Sequence, residues 1–342
     1  MMFESGERIG GYRVIRLLGE GGVGAVYEVE HVKLGVRYAM KVFAFDGQDT
    51  GQLRRRFEVE GKTLARFSHP NLVRVIDLDV DETHGVQYFV MDLVLTSSGD
   101  AMTLADIEPG SVDEEVLGNW FKELCSALSY VHEKGVVHRD VKLNNILVAA
   151  DGHVIMSDFG ISRLVDPNLK ADIKAATTTM YAVNGRFMMG TAGYMAPELY
   201  SGDEATAASD VYALGVCFFK LLTNIWYDPS LAPKGVKHDV AGCFDARQLL
   251  DLFEKNWTGV LSRMLDSNPA KRQVDLLALA RSIDAPRERD LKWWRWIVWI
   301  GVLAVVVSVV LVLLDAVLAV NPESDNFDRA YSYDGILEGG LK

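Results

Sequence analysis

Cysteine is scarce in this sequence. The 342 residues include three cysteines, and no two of them form a Cys-x-x-Cys unit: Cys125, Cys217 and Cys243. This scarcity excludes a disulfide framework, argues against a zinc-ribbon site and suits a reducing compartment. Histidines are also few, seven in all, and their positions show no metal-ligand spacing. We therefore expect no metal site built from cysteine or histidine.

An excess of positive charge is likewise missing. Lysine and arginine number 35 against 47 aspartates and glutamates, which gives a formal net charge of −12. An acidic chain lacks the basic surface of a general nucleic-acid binder, so no nucleic-acid partner is expected. The first eleven residues contain no apolar stretch, and a cleaved signal peptide is therefore not expected. With 49% hydrophobic and 24% charged residues, the composition is typical of a globular protein.

One long hydrophobic run interrupts this globular pattern. Residues 296–314 form 19 positions without a charge, and apolar residues resume after Asp315 up to Val320. Because a membrane-spanning helix needs about 20 predominantly apolar residues, we expect one transmembrane helix at 296–320. The alternative is a buried core helix, although few core helices stay apolar on every face for so long.

The flanks of this run predict its orientation. Basic residues are more frequent before it than after it: Arg281, Arg287, Arg289, Lys292 and Arg295 precede, Arg329 and Lys342 follow. The positive-inside rule places residues 1–295 in the cytoplasm, with a basic juxtamembrane linker at 286–295. The acidic tail at 321–342 is expected outside and is too short to bury a core of its own. The flanks thus predict a single membrane crossing.

A glycine-rich run near the start points to phosphate binding. Gly19, Gly21 and Gly24 form a G-x-G-x-x-G pattern between a strand predicted at 12–18 and the strand-like residues 25–29. A dinucleotide-binding fold would need a helix after the glycines. We therefore predict a hairpin whose backbone can approach a polyphosphate closely.

A lysine and a glutamate in the next segments form a candidate pair. In the strand predicted at 36–43, Ala39 and Lys41 point the same way. Glu60 lies on the apolar stripe of a predicted helix, where a carboxylate needs a partner; the stripe consists of Leu53, Phe57, Leu64 and Phe67. We interpret Lys41 as that partner, while the alternative is a solvated lysine on an edge strand.

The chain changes from strands to helices near residue 95. Further strands are predicted at 72–78 and 87–91, in addition to those on either side of the glycines. Beyond a linker-like stretch, Ser111 and Glu114 predict a capping box at the start of a strong helix. We therefore place a boundary between two lobes near residue 95.

An ordered set of short motifs follows in the second lobe. From the amino end they are HRDVKLNN at 138–145, DFG at 158–160, GTAGYMAPE at 190–198, SDVYALG at 209–215 and NPAKR at 268–272. Together with the glycine-rich loop, the strand lysine and the helix glutamate, this order resembles the protein kinase family of the serine/threonine type, close to its bacterial membrane-anchored group. The resemblance covers about residues 10–285.

The resemblance implies a two-lobed α+β fold. A small antiparallel β-rich N-lobe with one helix is expected at about 10–95, and a larger, mainly helical C-lobe at about 96–285. The linker, the transmembrane helix and the external tail described above then complete the chain. The resemblance favours the cell membrane of a bacterium, inner or plasma, as the location, and the alternative is a tail-anchored eukaryotic protein.

The resemblance also implies the chemistry, which is transfer of the γ-phosphoryl group of ATP with Mg²⁺ as the second cofactor. Lys41 is expected to bind the α- and β-phosphates, with Glu60 holding it in place. Asp158 and Asn145 are expected to hold Mg²⁺, a hard cation that favours oxygen ligands.

The remaining catalytic roles are implied in the same way. Asp140 is expected to orient the acceptor hydroxyl and accept its proton, and Lys142 to steady the γ-phosphate. The position of Lys142 two residues after Asp140, together with Thr191, implies serine or threonine acceptors in protein substrates. Arg272 of the last motif is expected to pair with Glu198.

Ten residues are expected to surround the nucleotide: Leu18, Gly19, Gly21, Gly24, Val26, Ala39, Lys41, Met91, Asp92 and Val94. Backbone groups of Asp92 and Val94 are expected to bind adenine, while Met91 closes the back of the pocket. Two positions depart from the family pattern, since Leu143 replaces the commoner proline and Val23 the commoner aromatic residue. Neither change involves a charge, and neither is expected to abolish activity.

The segment from Asp158 to Glu198 is long and carries Thr177–Thr179 near its middle. In the family, an arginine such as Arg139 can pair with a phosphothreonine and order this segment. We hypothesise autophosphorylation within Thr177–Thr179, and the alternative is a flexible polar loop.

Two other classes of function stay open. A membrane-tethered pseudokinase scaffold would bind ATP without transferring phosphate, and the intact Asp140, Asn145 and Asp158 oppose it. A kinase of small molecules or lipids is opposed by residues 190–198, which resemble a platform for peptide substrates. A homodimer could form through the hydrophobic helix, although that helix contains no G-x-x-x-G pattern.

Overall fold

The chain divides into two compact units, Met1–Ala285 and Pro286–Lys342. The computed structural model describes residues 2–21, 24–44, 58, 61–62, 64–158, 191–225, 250, 253–285 and 299–313.

The first unit begins with a six-stranded antiparallel sheet. Its strands are β1 (Arg8–Ile9), β2 (Tyr12–Gly21), β3 (Gly24–His31), β4 (Arg37–Ala44), β5 (Val75–Asp81) and β6 (Val86–Met91). In space they follow the order β1-β2-β3-β4-β6-β5. Short turns join most neighbours, as expected for antiparallel hairpins. The longer connection after β4 places β6 beside β4 and leaves β5 at the edge of the sheet.

The glycine-rich run lies in the hairpin between β2 and β3, so the predicted hairpin is confirmed. Gly21 pairs with Gly24, and Glu20 pairs with Ala25. Gly24 has a φ of +155°, and a Cβ atom there would collide with the carbonyl oxygen of Val42 in β4. A larger residue at this position would therefore push the hairpin away from the sheet.

The two faces of the sheet are buried against different partners. One face carries an aromatic-rich cluster closed by the N-terminal residue Phe3, whose ring meets that of Tyr27 edge to face at 5.9 Å. The other face joins the larger core of the unit through Ala39, Phe43, Phe89 and Met91. Alternation along each strand produces this division, because successive side chains point to opposite faces.

The second part of the unit is mainly helical. Among the described residues its α-helices are α1 (Glu114–Glu133), α2 (Pro197–Tyr200), α3 (Ala207–Thr223), α4 (Trp257–Met264) and α5 (Leu276–Ser282). Three aromatic rings lock α1, α3 and α4 together: Phe218 stacks on Trp257 at 5.5 Å, and Phe121 meets both edge to face. Each such pair contributes about 0.5–1.5 kcal/mol beyond its buried area. Helix α3 is buried along most of its length, which makes it the central element of this lobe.

Helix α1 begins differently from the sequence prediction. Asp113 is its N-cap residue, and no side chain caps it. The Ser111 hydroxyl donates instead to the carbonyl of Glu108 at 2.6 Å. The carboxylate of Glu114 accepts the backbone N–H groups of Glu254 and Lys255. The predicted capping box is therefore wrong, because a contact distant in sequence uses its glutamate.

Strands β7 (Ile146–Val148) and β8 (Val154–Met156) form a small second sheet. Helix α1 holds the turn between them at two points. The indole N–H of Trp120 donates to the carbonyl of Gly152 at 2.9 Å, and the Glu123 carboxylate accepts the N–H of Val154 at 3.0 Å. The hairpin is thereby fixed against the core, with Asn145 before its first strand and Asp158 after its second.

In the second unit, residues 299–313 are helical and their side chains are exposed. Within the described ranges, no helix is both long enough and apolar enough to cross a membrane. The predicted transmembrane helix at 296–320 extends beyond the described residues at both ends. The predicted linker at 286–295 and tail at 321–342 lie outside them altogether.

Candidate active site

Asp140 is the centre of a compact polar cluster in the segment that follows α1. The Lys142 ammonium donates to Asp140 Oδ2 at 2.8 Å. The Asn145 amide nitrogen donates to the carbonyl oxygen and to Oδ2 of Asp140, at 2.8 and 2.9 Å. Three of the residues expected to be catalytic therefore lie in direct contact. The carboxylate of Asp140 is held by the Lys142 ammonium and the Asn145 amide, and it remains partly accessible to solvent.

The backbone of this segment is held by Asp210 from helix α3. Its carboxylate accepts the N–H groups of His138 at 2.7 Å and Arg139 at 2.9 Å, and it also meets His132 Nε2 at 2.8 Å. Asp210 is 2% exposed. Arg139 adopts a φ of +68°, an unfavourable conformation for a residue with a side chain. The hydrogen bonds to Asp210 stabilise this strained turn, which holds Asp140 beside Lys142 and Asn145.

The roles of Asp210 and His132 were missed by the sequence reasoning. Asp210 lies near the start of an otherwise apolar helix, and a buried carboxylate always needs donors. The sequence could therefore have predicted that Asp210 needs hydrogen-bond donors. Its partners lie more than 70 residues earlier in the chain, so the sequence pattern did not reveal them.

The ring of His138 links the catalytic segment to the residues before Asp158. It is fully buried, and its Nε2 lies 3.1 Å from the carbonyl oxygen of Ser157. Burial favours the neutral imidazole and lowers the pKa of His138, despite the nearby carboxylates of Asp210, Asp140 and Asp158. A neutral ring with its proton on Nε2 donates to Ser157.

Lys41 of β4 meets Asp158 beneath the sheet. Its Nζ lies 2.7 Å from Oδ1 of Asp158, and the two side chains are 13% and 28% exposed. Asp158 adopts a φ of +58°, a second strained position in the site. The predicted partner of Lys41, Glu60, lies outside the described residues, as do Phe159 and Gly160. The pairing of Lys41 with Glu60 therefore stays a prediction.

Two residues fit the expected requirements of Mg²⁺. The Asn145 amide nitrogen is occupied by Asp140, which leaves the amide oxygen as the atom able to bind a cation. Asp158 supplies a carboxylate, and both oxygens are hard ligands of the kind that Mg²⁺ prefers. Among the described residues, no group of three or more histidine, cysteine, aspartate or glutamate side chains could hold a metal by itself. A cation here would therefore need phosphate oxygens and water as its remaining ligands.

The residues expected at the nucleotide lie on one face of the sheet and along the segment after β6. Ala39 is opposite Met91, and Val26 is opposite both Lys41 and Gly19. Leu18 and Val94 are partly buried against the same core, and the backbone of Gly21 and Gly24 closes the hairpin above them.

The segment that leaves β6 has a defined hydrogen-bond pattern. The N–H of Asp92 donates to the carbonyl of Arg74 at 3.1 Å. Because the N–H of Asp92 is used in this contact, the backbone group of Asp92 that we expect to bind a ligand is its carbonyl.

The expected pairing of Arg272 with Glu198 is confirmed. Two parallel hydrogen bonds of 2.7 Å join the guanidinium to the carboxylate, and the Ser209 hydroxyl donates to the same carboxylate at 2.9 Å. Burial alone would raise the pKa of Glu198, but the hydrogen bonds from Arg272 and Ser209 outweigh it and lower the pKa. The guanidinium also lies over the ring of Tyr212 at 4.8 Å. This cluster anchors α2, which follows the segment expected to present the acceptor peptide.

The protein kinase domain family matches residues 12–278. The chain belongs to this family. The kinase domain of PknI from Mycobacterium tuberculosis, a solved structure, superposes with a TM-score of 0.59 and 27% identity, covering 83% of this chain and 98% of that one. The predicted protein kinase fold, with a β-rich N-lobe and a helical C-lobe, is confirmed.

Bacterial serine/threonine kinases are among the similar curated proteins. PrkC of Bacillus subtilis is 33% identical over 222 residues, covering 64% of this chain and 31% of that protein. Pkn1 of Myxococcus xanthus is 31% identical over 284 residues, covering 81% and 38%. PknA of Mycobacterium tuberculosis is 35% identical over 218 residues, covering 63% and 47%. The chain thus spans less than half the length of these relatives, and the predicted membership of the serine/threonine kinase family is confirmed.

Proposed function

We propose that this protein is an ATP-dependent serine/threonine protein kinase that acts at the cytoplasmic face of a membrane. The observation that carries the proposal is the contact of Asp140 with Lys142 and Asn145, beside the contact of Lys41 with Asp158. The two contacts are linked, because the N–H of Ser157, the neighbour of Asp158, donates to the carbonyl of Asn145 at 2.8 Å. Together they supply a carboxylate for the acceptor hydroxyl, two ammonium groups for phosphate, and two oxygens able to bind a metal. Phosphoryl transfer needs this combination, because it depends mainly on positioning and on neutralisation of charge.

Each residue is assigned the role that the family resemblance implies, and its chemistry suits that role. Asp140 orients the acceptor hydroxyl and takes its proton, and its hydrogen bonds to Lys142 and Asn145 fix its direction. Lys142 steadies the γ-phosphate, while Lys41 binds the α- and β-phosphates, with Glu60 as its second partner. Mg²⁺, held by Asn145 and Asp158, would neutralise charge on the phosphates.

The proposed acceptors are serine and threonine hydroxyls in proteins. The Arg272–Glu198 anchor stabilises the end of the segment that resembles a peptide platform, which favours a protein over a small-molecule acceptor. The similar curated proteins are named as serine/threonine kinases, which supports the same acceptors. Autophosphorylation within Thr177–Thr179, which lie outside the described residues, belongs to this proposal.

The proposed arrangement comprises a kinase domain at 10–285, a basic linker at 286–295, one transmembrane helix at 296–320 and a short external tail. The uncharged run at 296–314 and the basic residues before it support this arrangement. A homodimer formed through the spanning helix is a secondary part of the proposal.

Flotation with lipid vesicles tests the anchor: the full chain should float with them, and a variant ending at residue 295 should stay in the dense fraction.

The activity is tested with the purified 342-residue chain in detergent, labelled ATP, Mg²⁺ and a generic protein substrate. Label should enter the protein and fall roughly 10²–10⁴-fold in Asp140→Asn, which keeps the side-chain shape but loses the base. Asp151→Asn is the matched control, since Asp151 is an exposed aspartate in the β7–β8 turn. ATP binding without transfer would indicate the scaffold, and label confined to lipid or small molecules would indicate the other kinase class. Mass spectrometry of the labelled chain should find phosphate within Thr177–Thr179.

A further inference from the structure

A row of side chains crosses the sheet above the expected adenine position. Met91 of β6 lies opposite Ala39 of β4, Ala39 lies opposite Glu28 of β3, and Glu28 lies opposite Arg16 of β2. Directly opposed residues on neighbouring antiparallel strands share a face. Arg16 and Glu28 therefore lie on the same face as Ala39 and Met91, at the far end of the row from the segment that leaves β6.

Glu28 is a buried carboxylate that fixes the direction of Arg16. It is 1% exposed and accepts hydrogen bonds from Arg16 Nε and Arg37 Nη1, both at 2.7 Å. Burial alone would raise the pKa of Glu28, but the two arginines outweigh it and the pKa is lowered. The carboxylate therefore stays charged near neutral pH. The planar guanidinium of Arg16 is consequently held in one orientation.

The other end of the same guanidinium reaches the segment that follows β6. Arg16 Nη2 donates to the carbonyl oxygen of Gly99 at 2.6 Å. Gly99 belongs to the linker that runs on from Met91 into the helical lobe. Arg16 thus joins the second strand of the sheet to a point 83 residues later in the chain.

The linker presents this carbonyl from a turn that is stiffened internally. The N–H of Gly99 donates to the carbonyl of Thr96, and the N–H of Thr96 donates to the carbonyl of Asp100, both at 2.9 Å. The Ser98 hydroxyl lies between Thr96 Oγ1 and Asp100 Oδ2, at 2.8 and 2.9 Å. Gly99 itself has a φ of +84°, which suits glycine. The turn therefore holds the Gly99 carbonyl in place for Arg16.

These contacts form a closed ring. It runs along the sheet from Met91 to Arg16, crosses to Gly99 and returns along the linker to Met91. The backbone of Asp92 and Val94, expected to bind adenine, lies on this ring. We propose that Arg16 is a positioning residue that straps β2 to the linker through Gly99 and thereby retains the nucleotide in the cleft. This inference rests on the proposed function, because it requires ATP to occupy the cleft beneath Ala39.

Loss of the strap should act on nucleotide release and leave the chemical step unchanged. Arg16 contacts neither Asp140 nor Asp158 in the described part of the chain, so the reacting groups stay in position when it is removed. A charge-assisted hydrogen bond to a partly exposed carbonyl corresponds to roughly a three- to tenfold change in an equilibrium or rate constant. We therefore expect Arg16→Ala to raise the dissociation rate of bound nucleotide and the KM for ATP by this factor, while kcat does not fall.

The test uses the full 342-residue chain in detergent and the fluorescent nucleotide mant-ADP with Mg²⁺. Stopped-flow displacement by excess ATP gives its dissociation rate, and steady-state kinetics give KM and kcat. Arg16→Lys keeps the charge but cannot reach Glu28 and Gly99 together, so it should release mant-ADP as fast as Arg16→Ala. Arg13→Ala is the matched control, because Arg13 pairs with Glu30 on the same strands at 2.6 Å and the described contacts give it no bond to the linker.

The outcomes separate this inference from the proposed function. Failure of the wild-type chain to bind mant-ADP overturns the proposed function. Tight binding in the wild type with an unchanged dissociation rate in Arg16→Ala and Arg16→Lys overturns the strap alone. If Arg13→Ala raised the dissociation rate of mant-ADP equally, loss of positive charge from the sheet would explain the effect, and the strap would again be wrong. If Arg16→Ala proves unfolded in thermal melts, Arg16→Lys by itself decides the question in the same way.

Discussion

Lys41 Nζ lies 2.7 Å from Oδ1 of Asp158, and this contact joins the sheet to the segment after the β7–β8 hairpin. The amine expected to bind phosphate and the carboxylate expected to bind the metal are therefore in direct contact. Each stabilises the charge of the other, so removal of one partner leaves the second charge partly buried and unpaired.

Replacement of Lys41 should therefore abolish most of the activity. We expect Lys41→Met to lower the rate of phosphoryl transfer roughly 10²–10³-fold, since a preorganised charge on the phosphates is lost. Transfer of label from ATP to protein measures this. Lys62→Met is the control, because Lys62 is an exposed lysine of the same lobe, and it should retain the wild-type rate. Equal rates for Lys41→Met and the wild type would contradict the assignment.

The Asp210 carboxylate should matter for turnover more than for nucleotide binding. In Asp210→Asn, one oxygen becomes an NH₂ group that faces the N–H of His138 or Arg139, so one of these donors loses its acceptor. We expect kcat to fall roughly 10- to 100-fold as Asp140 is displaced, with little change in the KM for ATP. We also expect a loss of about 1–3 kcal/mol in the free energy of unfolding.

Urea titration and steady-state kinetics check both effects, and Asp203→Asn, an exposed aspartate of the same lobe, is the control. A variant that keeps the wild-type kcat would show that Asp210 does not position the catalytic segment.

The contrast between these sites shows which features the sequence could predict. Asp140, Lys142 and Asn145 lie within six residues, so one motif contains all the contacts among them. Asp210 serves the same segment from more than 70 residues away, and its partners are backbone groups that carry no sequence signal. The Arg272–Glu198 pair is equally distant, but a family motif at each end predicted it.

The strand boundaries show a second limit. The sequence predicts a strand at 72–78, whereas β5 is Val75–Asp81. Leu72 bridges to Met156 instead, and the N–H of Val73 donates to the Met156 carbonyl at 2.9 Å. These apolar residues match a strand pattern but serve to join the two lobes. Strand β1 has two residues, which is too short for any periodicity to predict.

The Arg272–Glu198 pair should contribute strongly to stability. The two side chains are 0% and 8% exposed, so Arg272→Met would leave the Glu198 carboxylate buried without its cation. We expect a loss of about 3–5 kcal/mol in the free energy of unfolding at neutral pH. The double variant Arg272→Met/Glu198→Gln should recover part of that loss, because the unpaired charge is gone. A single variant as stable as the wild type in urea titration would refute this role.

The lowered pKa of Glu198 adds a pH dependence with a defined sign. The unfolded chain binds a proton near the ordinary value of 4.5, while the folded chain binds it only at lower pH. The stabilisation is therefore fully present above pH 4.5 and is lost as the pH falls through the folded value. The stability difference between the wild type and Glu198→Gln should accordingly shrink below pH 4.5. A difference that stays constant from pH 7 to pH 3.5 would contradict the lowered pKa.

The buried ring of His138 predicts a loss of stability at higher pH than Glu198 does. Burial lowers its pKa below the ordinary value of 6.5, so between the two values the unfolded chain binds a proton that the folded chain refuses. The contribution is present above pH 6.5 and is lost as the pH falls below it, by at most about 1.4 kcal/mol per pH unit for one group. His138→Gln can still donate to the Ser157 carbonyl but does not titrate, so its stability should fall less steeply between pH 7.5 and pH 5.5.

His69→Gln serves as the comparison, since burial also lowers the pKa of His69 but its ring contacts Ser126, away from the catalytic segment. Urea titrations across this range decide the matter: parallel pH profiles for the wild type and His138→Gln would show that the His138 ring takes up its proton as readily in the folded chain as in the unfolded one.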